Sequence, residues 1–160
     1  MYPYFDVADL STEGLLANWR WLCPQEVRLV AVDAFGDLFL ADGQGMVWRL
    51  DTPGGQLERI SESVAEFKHL AESLVKRKEW FFEDVAVSLG ERGFRPAKGQ
   101  CLGYKTQIVF KESTGAVTNV YLANLDEYVS FLGDLHNQMK DLPDGGKVRV
   151  VVGPKQEKPG

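Results

Sequence analysis

The sequence predicts a single α+β domain, in which a central, largely antiparallel sheet is packed by two or three helices. Residues 35–51 read FGDLFLADGQGMVWRLD, two apolar alternations around a polar, glycine-bearing turn, which is typical of a β-hairpin. Two apolar-periodic segments are each preceded by a serine or asparagine with glutamate three residues later, the pattern of a capped helix. The chain has 160 residues, 44% hydrophobic, enough for one core and too few for two ordinary domains.

The first helix follows a surface segment, residues 1–10, that we expect to pack irregularly. Ser11 or Thr12 can cap this helix, and its apolar positions repeat at helical spacing until Pro24 stops it. Residues 25–33 contain LVAV, a run that favours a buried strand leading into the hairpin.

The hairpin is predicted to be half-buried. In its second strand Met46, Trp48 and Leu50 share one parity, which predicts one sheet face on the core and the other face in water. The turn cluster at 52–55 then leads to a third strand over 56–60, so the first third of the chain is an antiparallel meander.

Two aromatic-rich helices are expected to cover one sheet face. Ser63 and Glu66 form a capping box, and a second helix over 78–92 ends at Gly93, with a short break near Arg77. The apolar stripe of the first of these helices consists of Val64, Phe67, Ala71, Leu74 and Val75.

The second half of the chain continues the α+β pattern. Strands are predicted over 102–110 and 118–122, and a last strand over 147–152. Asn124 and Glu127 open the third substantial helix. Its buried stripe is predicted to be Leu125, Tyr128, Val129, Leu132, Leu135 and Met139.

Composition limits the function classes. The net charge of −5 argues against duplex nucleic acid as a ligand and favours a basic protein partner. No segment has the roughly 18 apolar residues of a membrane span, and the start lacks a signal peptide, so we expect no membrane association and a cytoplasmic protein. The domain is predicted to cover 1–152, followed by a flexible tail over 153–160. The strand at 147–152 could pair two copies or be protected by its Lys and Arg, so monomer and weak dimer both stay open.

Catalytic motifs are weak in this sequence. Cys23 and Cys101 have no metal-ligand spacing and are expected to be separate reduced thiols. His136 could be a general base, but a cation stabilised by its helix dipole is favoured, and His69 lies on a solvated face. The chain has no GxGxxG, P-loop, GxSxG or HExxH motif, and we expect no cofactor, no metal and no catalysis.

Carboxylates concentrate around the meander, whose rim and outer face are expected to present them. One interpretation is a solvated sheet edge protected by charge, and the other is an anionic docking face for a basic partner. The carboxylates are Asp33, Asp37, Asp42, Asp51 and Glu58.

The order of segments resembles a domain of bacterial immunity proteins that guard against type VI secretion toxins. The segments are LLANWRWL, FGDLFLADGQGMVWRLDTPGGQLERISESVAEF, GQCLGYK and LHNQMKDLPDG. The middle one is also similar to the SUKH immunity superfamily, in which a strand-turn-strand leads through a serine into a helix with a buried phenylalanine. The matching residues are Gly45, Val47, Leu50, Asp51, Ser63 and Phe67.

The resemblance implies a SUKH-like fold and a non-catalytic cytoplasmic antidote. Such a protein binds a cognate toxin, commonly a nuclease, and occludes its active site or substrate groove. The contact residues we predict are Asp37, Asp42, Trp48, Asp51 and Tyr104, although the parity of Trp48 favours a core position.

Two alternatives stay open. A ligand-binding or regulatory module would use a pocket lined by Gln100, Tyr104, His136 and Gln138. An enzyme would use Cys101 and His136, which would have to converge within hydrogen-bond reach.

Overall fold

A computed structural model describes residues 4–5, 7–105, 107 and 119–142. Within these ranges the chain forms a five-stranded antiparallel sheet, a separate two-stranded ribbon and five α-helices, which confirms the predicted single-domain α+β architecture. The strands are β1 (Tyr4–Phe5), β2 (Val27–Asp33), β3 (Leu38–Asp42), β4 (Val47–Asp51), β5 (Gln56–Ser61), β6 (Gln100–Tyr104) and β7 (Val120–Asn124). The helices are α1 (Thr12–Leu16), α2 (Val64–Leu70), α3 (Leu74–Phe81), α4 (Glu83–Glu91) and α5 (Leu125–Met139), and a 3₁₀ turn (Ala17–Trp19) follows α1.

The predicted meander forms most of the large sheet. The strand order is β1-β2-β3-β4-β5, so each strand pairs with its neighbour in the chain. The predicted β3–β4 hairpin is formed, with Leu38 paired to Leu50 and Leu40 to Trp48. The polar turn was expected over 41–45, whereas the chain turns between Asp42 and Met46. Strand β1 was not predicted. It lies in the segment that was expected to pack irregularly, and its Tyr4 pairs with Asp33 of β2.

Helices cover both faces of this sheet, so the expectation that one face meets water is wrong. Leu38 and Leu50 pack against α1, the 3₁₀ turn and α5, while Phe39 and Val47 pack against α2 and α3 on the opposite face. All four side chains are fully buried. The sheet is therefore the middle of three layers, and both parities of its central strands are apolar as a result.

Three predicted helix starts are confirmed by their caps. Ser11, Ser63 and Asn124 each accept a hydrogen bond from the backbone N–H three residues later, at 3.0 Å in each case. The predicted stripe of α5 is buried from Leu125 to Leu135, and it joins α1 and the sheet in the largest core cluster.

The α2–α4 region differs from the prediction. α2 ends at Leu70, and Leu74 and Val75 belong instead to the start of α3, where they are 51% and 71% exposed. The helices are also interrupted at Phe82 (φ +50°), a left-handed residue between α3 and α4. Helical spacing alone indicated continuity, because apolar residues continue through both breaks.

The ribbon of β6 and β7 joins the end of β2 through a hydrogen bond from the Leu102 N–H to the Ala34 carbonyl at 2.6 Å. The later part of the strand predicted over 102–110, the strand over 147–152 and the tail over 153–160 lie outside the described residues. Among the described helices, none has the length and hydropathy of a membrane-spanning segment.

Candidate functional site

One end of the large sheet collects titratable side chains, but two of the expected surface carboxylates there are buried. Asp33 is 0% exposed and Asp37 is 1% exposed. Asp37 forms an ion pair with Arg49 at 2.8 Å and accepts the Thr52 N–H at 3.1 Å. The expectation that Asp33 and Asp37 contribute to an acidic rim is therefore wrong, and Asp37 has no exposed surface for a partner to contact.

The buried Asp33 side chain stabilises the β2–β3 turn through hydrogen bonds with the turn backbone. Its Oδ1 accepts the N–H groups of Phe35 and Asp37, both at 2.9 Å, whereas its buried Oδ2 has no hydrogen-bond partner. Burial raises the pKa of Asp33 well above its ordinary value, and the neighbouring Asp37 charge raises it further. Burial also raises the pKa of Asp37, but Arg49 opposes that rise, so the pKa is raised further for Asp33 than for Asp37.

Aromatic side chains cover this cluster. The Phe82 ring lies 5.3 Å from the Arg49 guanidinium carbon and packs edge-on against Phe35. Tyr104 stacks beside Phe35, and its pKa is raised, first by burial and then by the Asp37 charge. The predicted contact residue Tyr104 is thus half-buried, with its ring engaged inside the protein.

The cysteine at this end is unsuited to nucleophilic chemistry. Cys101 is fully buried next to Gly36, and burial raises the pKa of its thiol well above the ordinary value. No hydrogen bond joins Cys101 to His136 within the described residues. The thiol–imidazole contact that the enzyme alternative requires is therefore not formed there.

His136 fastens α5 to the β4–β5 turn. Its Nε2 lies 3.0 Å from the Pro53 carbonyl oxygen, which can only accept, so Nε2 carries the proton. A Cβ on Gly55 would lie 2.5 Å from Nδ1 of the ring, so the turn backbone packs directly on the imidazole. Burial lowers the pKa of His136, which makes the ring neutral at pH 7 and the interpretation as a dipole-stabilised cation wrong.

The opposite end of the hairpin is held by Asp42. Its Oδ2 accepts the Trp48 indole N–H at 2.9 Å, and its Oδ1 accepts the backbone N–H groups of Gln44 and Met46. These bonds, chiefly that from Trp48, lower the pKa of Asp42. Trp48 is half-buried in this contact. Its exposure is intermediate between the core position and the exposed contact position that were considered for it.

The two predicted residue sets are dispersed over the fold. Asp42 and Asp51 end different strands, β3 and β4, at opposite ends of the hairpin, so the five contact residues do not form one surface. In the alternative pocket, Gln100 accepts the Ala97 N–H and Gln138 donates to Asp134 on α5. Within the described residues, Gln100, Tyr104, His136 and Gln138 therefore each have a separate hydrogen-bond or stacking partner.

The strongest surface feature is one that the sequence reasoning missed. The outer layer formed by residues 7–23 and 124–142, here called the acidic layer, carries six carboxylates and two cations, Arg20 and Lys140. Residues 64–92, which contain α2, α3 and α4, carry six carboxylates and five Lys or Arg. All six carboxylates of the acidic layer are exposed: Asp9, Glu13, Asp126, Glu127, Asp134 and Asp141. Among the described residues the fold thus concentrates negative charge in this layer, where Lys98 forms an ion pair with Asp9 from outside it.

A pocket of about 180 Å³ opens in the acidic layer, between the 3₁₀ turn and α5. Its lining residues, which define what we call the Trp21 pocket, are Ala17, Asn18, Arg20, Trp21, Asp134 and Asn137. Polar residues spaced by three on α5 and a second tryptophan beside Trp19 were the signals available in the sequence. No pattern within one segment indicates the pocket, because the two segments lie more than 100 residues apart in the sequence.

The protein-family models that were compared include none that matches this chain, and no curated protein is significantly similar to it. Within the described residues, no three His, Cys, Asp or Glu side chains come together as metal ligands.

Proposed function

We propose that this protein is a non-catalytic, cytoplasmic immunity protein that binds a basic toxin domain, of the kind delivered by type VI secretion, and occludes its active site. The resemblance of the LLANWRWL, hairpin and LHNQMKDLPDG segments to such proteins suggests this class. The observation that carries the proposal is the acidic layer, which has a net charge of −4 from six carboxylates and two cations. A surface of one sign steers an oppositely charged partner and raises its association rate.

The condition of the reactive side chains favours binding over catalysis. The Cys101 thiol is buried with a raised pKa, and the His136 ring is held between a carbonyl and a glycine turn. Asp33 and Asp37 are enclosed with Arg49. A general acid or base has to reach a substrate proton, and none of these groups has an exposed position from which to do so.

Occlusion of a nuclease fits the same charge distribution. A nuclease groove binds phosphates through clustered Lys and Arg, and a carboxylate-rich surface competes for those cations. Asp42 and Asp51 remain proposed as charge partners at the ends of the hairpin. Asp51 ends β4 beside the turn that His136 of α5 contacts, whereas Asp42 lies at the opposite end, and a separate double variant tests both residues.

The proposal is tested by capture of partners from the native host with the tagged full-length chain, at low and moderate salt. Mass spectrometry identifies the captured proteins, and each candidate is then purified and assayed for toxicity with and without the chain. We expect one basic effector domain, whose activity is abolished by an equimolar amount of the chain. A small molecule retained by the purified chain, with no effector captured, would instead support the ligand-binding alternative.

Matched charge reversals locate the surface. Asp126→Lys with Asp134→Lys changes the acidic layer, and Glu72→Lys with Glu91→Lys makes the same change in net charge outside that layer. We expect the first pair to reduce capture at low salt and the second pair to leave it unchanged. Equal effects of both pairs would show that net charge alone matters and would contradict a defined acidic docking surface. Asp42→Lys with Asp51→Lys tests the hairpin ends in the same way.

A further inference from the structure

One wall of the Trp21 pocket is fixed by contacts with backbone atoms. A Cβ on Gly133 would lie 2.6 Å from the carbonyl oxygen of Asn18, so glycine lets α5 approach the 3₁₀ turn this closely. The Trp21 indole N–H is shared between the carbonyl oxygens of Asn18, at 3.0 Å, and Gly133, at 3.2 Å. The ring therefore has a fixed orientation before any partner arrives, which reduces the ordering cost of binding.

The ring already accommodates a cation. Lys140 Nζ lies 5.6 Å from the centroid of the Trp21 ring, within cation–π range. The same ammonium donates to Asn137 Oδ1 at 2.8 Å and lies 3.4 Å from Asp141. The chain's own lysine thus shows the kind of group that this indole receives.

Oxygen acceptors in the pocket have spare capacity. Asp134 accepts a bond from Gln138 through Oδ2, and Asn18 donates its amide nitrogen to the Ser130 carbonyl. Over the part of the chain that the structure describes, Asp134 Oδ1 and Asn18 Oδ1 accept no hydrogen bond. A ligand that donates hydrogen bonds therefore finds two unused acceptors.

The donors of Arg20 are largely engaged elsewhere. Its Nη1 donates to the carbonyl oxygens of Cys23, at 3.2 Å, and Gln25, at 2.9 Å. Its Nη2 lies 3.9 Å from Glu13. The guanidinium is thus directed at oxygens of its own segment, and an anionic ligand would meet the Asp134 carboxylate instead.

The volume suits one side chain. Sites for drug-sized ligands have volumes of about 300–1,000 Å³, whereas this pocket has about 180 Å³. We propose that the Trp21 pocket receives an arginine side chain of a protein partner, which stacks its guanidinium on Trp21 and donates to Asp134. Arginine is the occupant because its planar fork stacks on an aromatic face and donates to several acceptors together. This inference deepens the proposed function and rests on it for the identity of the partner, a basic toxin.

Binding of N-acetyl-arginine amide to the ¹⁵N-labelled full-length chain is followed by NMR titration. The Trp21 indole resonance, assigned by its loss in Trp21→Phe, reports on the pocket. N-acetyl-citrulline amide, an uncharged analogue of similar shape, is the matched probe. We expect a saturable shift of this resonance with the arginine probe and little shift with the citrulline probe. Equal shifts with both probes, or none with either, would overturn the proposal.

Two variants separate specific binding from general electrostatics. Lys140→Met should tighten binding of the arginine probe about twofold to fivefold, since it removes the competing cation from the ring, and this factor corresponds to a cation–π contact at an exposed site. Asp134→Asn should weaken binding by a similar factor. Asp126→Asn removes the same charge from the same helix outside the pocket and should leave the affinity unchanged. Weaker binding in Lys140→Met, or equal losses in the two aspartate variants, would contradict the arrangement.

Capture and inhibition of the toxin distinguish failure of the pocket proposal from failure of the proposed function. If Asp134→Asn captures and inhibits the toxin as well as the unmodified chain does, the pocket assignment fails and the proposed function stands. If the pocket binds the arginine probe but the native host yields no toxin, the proposed function fails instead.

Discussion

Replacing Asp33 by asparagine probes the buried carboxyl pair beneath the β2–β3 turn. Asparagine retains Oδ1, which accepts the N–H groups of Phe35 and Asp37, and places an N–H₂ group where the unpartnered Oδ2 lies. The shape is conserved, while the titration of this residue is abolished. The change therefore isolates the contribution of one proton to stability.

The pH dependence of stability follows from the direction in which the pKa of Asp33 is shifted. Because burial raises the folded-state pKa of Asp33 above its unfolded value, the folded chain retains a proton that the unfolded chain loses above about pH 4. The stabilisation from this group is complete below the unfolded pKa and is lost as pH rises towards the folded pKa. Within that window the slope approaches about −1.4 kcal/mol per pH unit, the value for a difference of one proton. Asp33→Asn lacks this slope, so its stability relative to the unmodified chain should increase with pH.

The assay is urea unfolding of both chains across roughly pH 4 to pH 8, with Glu91→Gln as an exposed carboxylate control. Groups away from the Asp33–Asp37 pair titrate equally in both proteins, so the difference between the two free energies of unfolding reports on this pair. A difference that stays constant with pH would refute the reasoning, because it would mean that Asp33 ionises in the folded chain as it does in the unfolded chain.

Three further predictions concern the packing of helices and turns. Gly133→Ala should reduce the free energy of unfolding by about 1–3 kcal/mol, because its Cβ would lie 2.6 Å from a backbone oxygen of Asn18. The higher helix propensity of alanine should offset part of this loss. Urea unfolding that shows no loss would contradict this prediction. Trp48→Phe should raise the pKa of Asp42 towards its ordinary value, as measured by NMR titration of the carboxyl carbon, whereas an unchanged pKa would mean that the indole bond is not formed in solution. Tyr128→Phe should cost about 1–3 kcal/mol in thermal or urea unfolding, because it leaves the part-buried Tyr104 N–H and the buried Gln107 Oε1 without their hydrogen-bond partner; a neutral effect would count against that network.

The sequence predicted the local structure well because local rules determine it. The hairpin follows from two apolar runs around a polar turn, and the caps at Ser11, Ser63 and Asn124 follow from side chains that bond backbone groups three residues away. The buried stripe of α5 follows from helical periodicity. Each of these signals is contained within one short segment of the chain.

Long-range compensation was not predictable in the same way. Asp37 stands in a turn, where carboxylates are normally solvated, and it is buried because Arg49 reaches it from β4. The Trp21 pocket requires the Gly133 carbonyl to accept the Trp21 indole N–H across 112 residues of sequence. Such contacts depend on the packing of layers, which a pattern within one segment does not encode.

The candidate contact residues illustrate the same limit. Counting carboxylates along the chain drew attention to the meander, whereas the folded chain gathers exposed carboxylates from two distant segments, 7–23 and 124–142. Asp37, the residue central to the predicted rim, became an internal ion-pair partner, and Asp134, which drew no attention in the sequence, lines the surface pocket.

The most direct measurement of the central claim is the association rate of the purified chain with its captured effector, followed by stopped-flow at several salt concentrations. The account predicts that the rate falls steeply with salt, and that Asp126→Lys with Asp134→Lys slows association about tenfold or more at low salt. The matched Glu72→Lys with Glu91→Lys protein should associate at nearly the original rate. Rates that are independent of salt, or that fall equally in both double variants, would contradict recognition through the acidic layer.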